Sequence, residues 1–241
     1  MVLIPEGEFT MGSDIGHDDE KPVHTAYLDA FYIDRHEVTN AQYGACVDAG
    51  VCDPPGSAVS YSGNLYYYTS LYDNYPVVHV SWYDAQTYCT WAGKKLPTEA
   101  QWEKAARGTD GRIYPWGNEW DGDRLNYCDA NCPFNYKDTN SDDEFEDKAP
   151  VGSYSPEGDS PYGVSDMAGN VWEWVADWYD ADYYGAGEAR NPQGPASGEY
   201  KVLHGSSWDT TRDNVRCAYR YRYNPDYEAD NVGFRCAKSS A

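Results

Sequence analysis

Positive charge is scarce in this chain: 18 Lys and Arg stand against 40 Asp and Glu over 241 residues, a net charge of −22. Such a balance repels polyphosphate and anionic lipid surfaces, which argues against nucleic-acid partners and membrane binding. Long apolar runs are missing too, with a mean hydropathy of −0.80, so no membrane span is expected. The opening residues, MVLIPEGEF, lack the basic and long apolar regions of a signal peptide. Histidine is sparse, and residues 17, 24, 36, 79 and 204 show no metal-ligand spacing. No second CxxC accompanies the cysteines, so a structural zinc is not expected. Aromatics, by contrast, abound: 24 Tyr, 9 Trp and 5 Phe make up 16 % of the chain. A disordered chain has no use for nine tryptophans, so the composition reads as a globular, loop-rich domain with an aromatic core.

Regular structure should be sparse and well punctuated. Thr39-Asn40-Ala41-Gln42 and Thr98-Glu99-Ala100-Gln101 are capping boxes, and Ser81 caps a third helix with Asp84 at its third position. Gly50 and Gly108 stop the first and last of these helices. Extended pieces are expected at Phe9–Gly12, Thr25–Ile33, Val77–Val80, Tyr200–His204 and Gly233–Ala237. Between Gly108 and Gly198 no helix of ordinary length is legible, and so long an irregular stretch points to function or a metal. The seven cysteines leave at least one thiol unpaired. Cys46 with Cys52, and Cys128 with Cys132, are either small-loop disulfides or reduced thiols, depending on compartment. With no linker or tandem repeat in sight, residues 1–241 read as one α+β domain.

Several phrases recur in a fixed order. They include Ile4-Pro5-x-Gly7-x-Phe9-x-Met11-Gly12-Ser13, Val38-Thr39-Asn40, Pro76-Val77-x-x-Val80-Ser81-Trp82 and Leu96-Pro97-Thr98-Glu99-Ala100-Gln101-Trp102-Glu103. Tyr114-Pro115-Trp116-Gly117, Gly169-Asn170-Val171-Trp172-Glu173-Trp174 and Gly233-Phe234-Arg235-Cys236 complete them. This series resembles the formylglycine-generating-enzyme (sulfatase-modifying factor) family along nearly the whole chain. The resemblance implies a C-type lectin fold variant, with few helices, short strands and much irregular loop. It also implies a Cys89–Cys236 bridge with Cys217 as the odd thiol, because the family partner of Cys217 falls at Ala106.

The family's enzymes bind copper through two cysteines between a Gly-Gly-Ser-[Trp/Tyr] turn and an Arg-Cys-x-x-Arg segment. Here the turn is Gly205-Ser206-Ser207-Trp208 and the later segment Arg216–Arg220, and Asp209–Val215 between them has no cysteine. A cuprous ion needs soft thiolate ligands. No copper and no catalytic residue are therefore expected, and oxidation of a sulfatase cysteine is the alternative reading. For calcium the resemblance implies two sites. One comprises Asp166, the Gly169 and Val171 carbonyls and Glu173; the other Asn126, the Tyr127 carbonyl, Asp143 and the Phe145 carbonyl.

Residues 204–233 have a composition of their own. Arg216, Arg220 and Arg222 alternate with Tyr219, Tyr221 and Tyr223, which in an extended segment puts guanidiniums on one face and phenols on the other. Tyr, Ser, Asn and Asp are what adaptable binding surfaces use. The segment resembles the variable region of proteins diversified by diversity-generating retroelements, where adenine changes in Asn codons yield Asp, Tyr, Thr, Ser or Ala. The expected binding face comprises Trp208, Asp209, Thr210, Thr211, Asp213, Tyr219, Tyr221, Tyr223, Tyr227 and Asp230, with Trp102, Trp116, Trp172 and Trp174 in the core. The expected function is binding of a protein or glycan on a cell or phage surface, with extracellular, virion or cell-surface display. An accessory or sensor module is a further alternative.

Overall fold

The structure, a computed structural model, describes residues 1–186 and 189–240. Its elements run β1 (Val2–Ile4), β2 (Gly7–Met11), β3 (His24–Leu28), β4 (Phe31–Ile33), α1 (Asn40–Asp48), α2 (Trp82–Trp91), α3 (Glu99–Arg107), β5 (Trp172–Trp178), α4 (Tyr183–Ala186), β6 (Lys201–His204), β7 (Tyr221–Tyr223), β8 (Val232–Gly233) and β9 (Ala237–Ser239). This is a mixed α+β fold of few helices and short strands.

Local chemistry sets the three longer helices. The Thr39, Ser81 and Thr98 hydroxyls accept from the backbone N–H groups of Gln42, Asp84 and Gln101, whose side chains accept from the cap residues in return. Helix α3 ends at Gly108, whose φ of +72° disfavours other residues and where a Cβ would meet Pro161 at 2.7 Å.

Three sheets form: β1-β4-β9, the hairpin β2-β3, and β7-β6-β5-β8. Strands β5 and β8 pair parallel, and the other paired strands among the described residues run antiparallel. Strand β5, central in its sheet, lies inside the stretch expected to be irregular. It is buried on both faces, because its polar residues Glu173 and Asp177 point at buried partners. The expected strand at Val77–Val80 does not form: Val77 N–H bonds to Val38 O, His79 N–H to Ala229 O, and His79 turns to φ +58°.

One core cluster packs Ile4, Phe31, Trp102, Val175 and Val202, and a second packs Tyr43, Leu96, Trp174, Leu203 and Phe234. Trp116, expected in the core, is half-buried and stacks on Tyr114 at 5.3 Å. Disulfides join Cys46–Cys52, Cys89–Cys236 and Cys128–Cys132, and Cys217 is a buried free thiol.

Candidate functional site

The C-terminal segment is held from below by arginine. Arg216 donates two hydrogen bonds to the buried Glu20 carboxylate, at 2.6 and 2.7 Å. Arg220 does the same to Glu99 of α3, at 2.7 and 3.0 Å, and also donates to Asp19 O. Burial alone would raise the Glu99 carboxyl, but Arg220 and His204 outweigh it and hold Glu99 below the usual range. Arg222 is exposed and lies over the Tyr179 ring at 4.3 Å, as Arg220 does at 5.0 Å. Both guanidiniums thus lie on one side of β7.

The tyrosines lie on the other. Pairing of β7 with β6 sets Tyr221 opposite Leu203 and Tyr223 opposite Lys201. Tyr221 and Tyr223 meet edge to face at 5.5 Å, Tyr223 stacks on Tyr227 at 3.8 Å, and Tyr221 stacks on Trp172 at 5.2 Å. These rings, with Tyr219, Asp209, Thr210, Asn214 and Asn231, line a hollow of about 380 Å³. Burial, and then the neighbouring phenols, push the Tyr221 and Tyr223 hydroxyls up, so neither is a phenolate at neutral pH.

A tight turn sets the floor. Ser206 takes φ +70°, and the Thr210 hydroxyl donates to Ser207 O at 2.8 Å. The Ser207 hydroxyl donates to Asp209 Oδ1, and Asn231 Nδ2 donates to both Asp209 oxygens at 3.2 and 3.1 Å.

Six residues expected on the binding face meet in this hollow: Asp209, Thr210, Tyr219, Tyr221, Tyr223 and Tyr227. Trp208 does not; it is 1 % exposed beneath Tyr61 and Phe134. Its burial depends on rings more than 70 residues away in the chain, which nothing local in the sequence announces. Asp213 opens onto a different hollow, beside His17, Tyr114 and Arg216. Asp230 is half-buried, 3.6 Å from Lys148 Nζ, and neither it nor Thr211 lines the tyrosine hollow. Trp172, expected as core, is buried yet forms one wall. Exposed Tyr61 and Tyr136 flank the segment, with the Tyr136 hydroxyl on Asp209 O at 3.0 Å.

The redox chemistry is equally localised. Among the described residues Cys217 is the free thiol, and burial pushes it up to about 12, far from a thiolate at neutral pH.

Two acidic places test the fit of calcium, a hard cation that takes six to eight oxygens. At the first, both Glu173 oxygens accept from Arg235, and Trp102 Nε1 adds a third bond. Asp166 Oδ2 accepts from Gly152 N–H, while buried Glu37 Oε2 has no partner. Burial pushes Asp166 up to about 6 and raises Glu37 as well. Three carboxylates thus share one guanidinium, and the unsatisfied acceptor belongs to Glu37 rather than Glu173. Gly169 holds this loop against residue 126, where a Cβ would meet Asn126 O at 2.0 Å. At the second place, Asp143 faces the fully buried Asp129, and Asp143 accepts from Tyr154 OH at 2.7 Å. Burial pushes Asp143 up to about 7. Asp129 and Glu37 were not singled out in the sequence, because each reaches its cluster only through the fold. Each place thus gathers buried carboxyls that burial holds towards their protonated form. Among the described residues no group of three or more His, Cys, Asp or Glu is arranged as a metal cluster.

Comparison with known proteins agrees with this architecture. The model of the sulfatase-modifying factor enzyme 1-like domain matches residues 1–240. A serine/threonine-protein kinase pkn1 of Chlamydia pneumoniae is 40 % identical over 252 residues, covering 99 % of this chain and 38 % of the kinase. The chain therefore spans well under half the length of that relative. The formylglycine-generating enzyme of Streptomyces coelicolor is 36 % identical, covering 99 % of this chain and 89 % of the enzyme. An inactive C-alpha-formylglycine-generating enzyme 2 of Bos taurus is 33 % identical, with 100 % and 88 % covered. Among solved structures, PvdO from Pseudomonas aeruginosa superimposes with a TM-score of 0.79 at 28 % identity, covering 98 % of this chain and 93 % of that one. Treponema denticola variable protein 1 gives 0.78 at 24 % identity, with 99 % and 94 % covered, which shows a shared fold. The fold is the C-type-lectin-like one.

Proposed function

The chain belongs to the sulfatase-modifying factor family, and from that premise we propose that it is a ligand-binding protein displaying residues 204–233, rather than a formylglycine-generating oxidoreductase. One observation carries this reading. Within a single segment, Arg216 and Arg220 are spent on buried carboxylates while Tyr221, Tyr223 and Tyr227 gather around an open hollow. Such a segment can change its outward residues and keep its attachments. Its Asn, Asp, Tyr, Thr and Ser content supports retroelement diversification. The ligand is a protein or glycan on a cell or phage surface. Three disulfides support an oxidising setting, and so extracellular, virion or cell-surface display.

Calcium completes the scaffold in this reading. Asn126, Asp143 and the Tyr127 and Phe145 carbonyls, joined by Asp129, would hold one ion. Asp166 and the Gly169 and Val171 carbonyls, with Glu37 in place of Glu173, would hold another.

The family holds both active and inactive members, so the decisive test is chemical. With a sulfatase Cys-x-Pro-x-Arg peptide and copper, purified protein should leave the cysteine unchanged by mass spectrometry. Copper-dependent conversion to the aldehyde would reinstate the oxidoreductase. A second reading, an accessory or sensor module, is favoured by the match to only 38 % of a kinase.

A further inference from the structure

The tyrosine hollow has a sign. Trp172, Tyr219, Tyr221, Tyr223 and Tyr227 bring five aromatic side chains to its wall. Aromatic faces carry negative charge density and attract cations, more strongly once water is excluded. Asp209 adds a carboxylate to the lining, and no Lys, Arg or His joins it there among the described residues.

Asn231 supplies an independent indication. Its Nδ2 is spent on Asp209, while its Oδ1 is buried with no hydrogen-bond partner. A buried acceptor left unpaired has lost its water without gaining a partner, which is unfavourable. Asn231, a lining residue, therefore has an acceptor to spare. Lys148, the buried cation beside Asp230, does not donate to it. Its Nζ lies 3.6 Å from both Asp147 and Asp230, over the Tyr66 and Trp208 rings, and outside the lining of the hollow. Arg216 and Arg220 are committed to Glu20 and Glu99, and Arg222 lies on the opposite side of β7. Beyond the hollow, a net charge of −22 draws positive partners from a distance.

Resting on the reading of this hollow as the binding face, we propose that it receives the cationic side chain, arginine or lysine, of a protein ligand. Its N–H donors would meet Asn231 Oδ1 and Asp209, and its charge the surrounding rings. A ligand presenting carboxylates there would face Asp209 and be rejected.

A random-peptide phage library panned in parallel on the full chain and on the Tyr221→Ser/Tyr223→Ser/Tyr227→Ser variant tests this. The variant keeps the net charge of −22, so indiscriminate capture of basic peptides cancels between the two. Peptides recovered on the wild type alone should be rich in Arg or Lys. Replacing that residue by norleucine should weaken binding roughly thirtyfold, the scale of a desolvated cation–π contact. Asp209→Asn, which removes one charge at constant volume, should weaken the same peptides. Tyrosine-dependent peptides with no basic enrichment, or indifferent to norleucine, would overturn the cationic assignment and leave the binding face standing. If no peptide distinguishes the wild type from the variant, both fall.

Discussion

Asp177 lies fully buried and accepts the Glu99 N–H at 2.8 Å. Burial, and then the Glu99 charge, push its carboxyl up to about 8. The folded chain therefore keeps a proton that the unfolded chain releases near the ordinary carboxylate value. Asp177 thus contributes most to stability at low pH. That contribution falls as pH rises towards 8, by about 1.4 kcal/mol per pH unit for one proton. Lys201, whose ammonium burial lowers to about 8, adds its own pH dependence only above that point. Asp177→Asn keeps an acceptor for the Glu99 N–H and cannot ionise. Its urea midpoint should therefore vary less than that of the wild type from about pH 5 to pH 8. Equal slopes in the two proteins would place the dependence on another group. None of this is legible in the sequence, where Asp177 is one of many acids near a tryptophan.

Elements differ in how far the sequence announces them. Helices α1, α2 and α3 begin where their caps stand, because a capping box is satisfied within four residues. Strand β5 is hidden, since Glu173 and Asp177 make it look solvent-facing while their partners, Arg235 and the Glu99 N–H, come from far along the chain. The Arg–Tyr alternation of β7 was legible, because a strand sends successive side chains to opposite faces. Its arginines should then differ sharply in weight. Arg220→Ala leaves Glu99 buried and should cost about 3–5 kcal/mol in urea unfolding. Arg222→Ala, on the surface, should stay within about 0.5 kcal/mol. Similar losses at both positions would mean that the segment is not anchored from one side.

At the scale of the molecule, the hollow was legible in part. Its tyrosines are close together in the chain, whereas Trp172 comes from β5, far from them in sequence. On the proposed calcium reading, the acidic clusters around Asp143 and Asp166 make whole-chain stability depend on a cation. Excess chelator should lower the melting temperature and added calcium restore it, since an ion bound only to the folded state stabilises it by mass action. Asp143→Ala should melt lower than wild type even with calcium present. A melting curve unmoved by chelator would count against both sites.

The display reading assigns Tyr221, Tyr223 and Tyr227 to the surface, though Tyr223 and Tyr227 are half-buried and pack against the second core cluster. Urea unfolding of the chain with all three replaced by serine tests it most directly. The display reading predicts a loss of at most about 1 kcal/mol per site, as at surface positions. A loss of about 3–5 kcal/mol per site, the cost of emptying a packed aromatic position, would return the segment to the core and contradict the account.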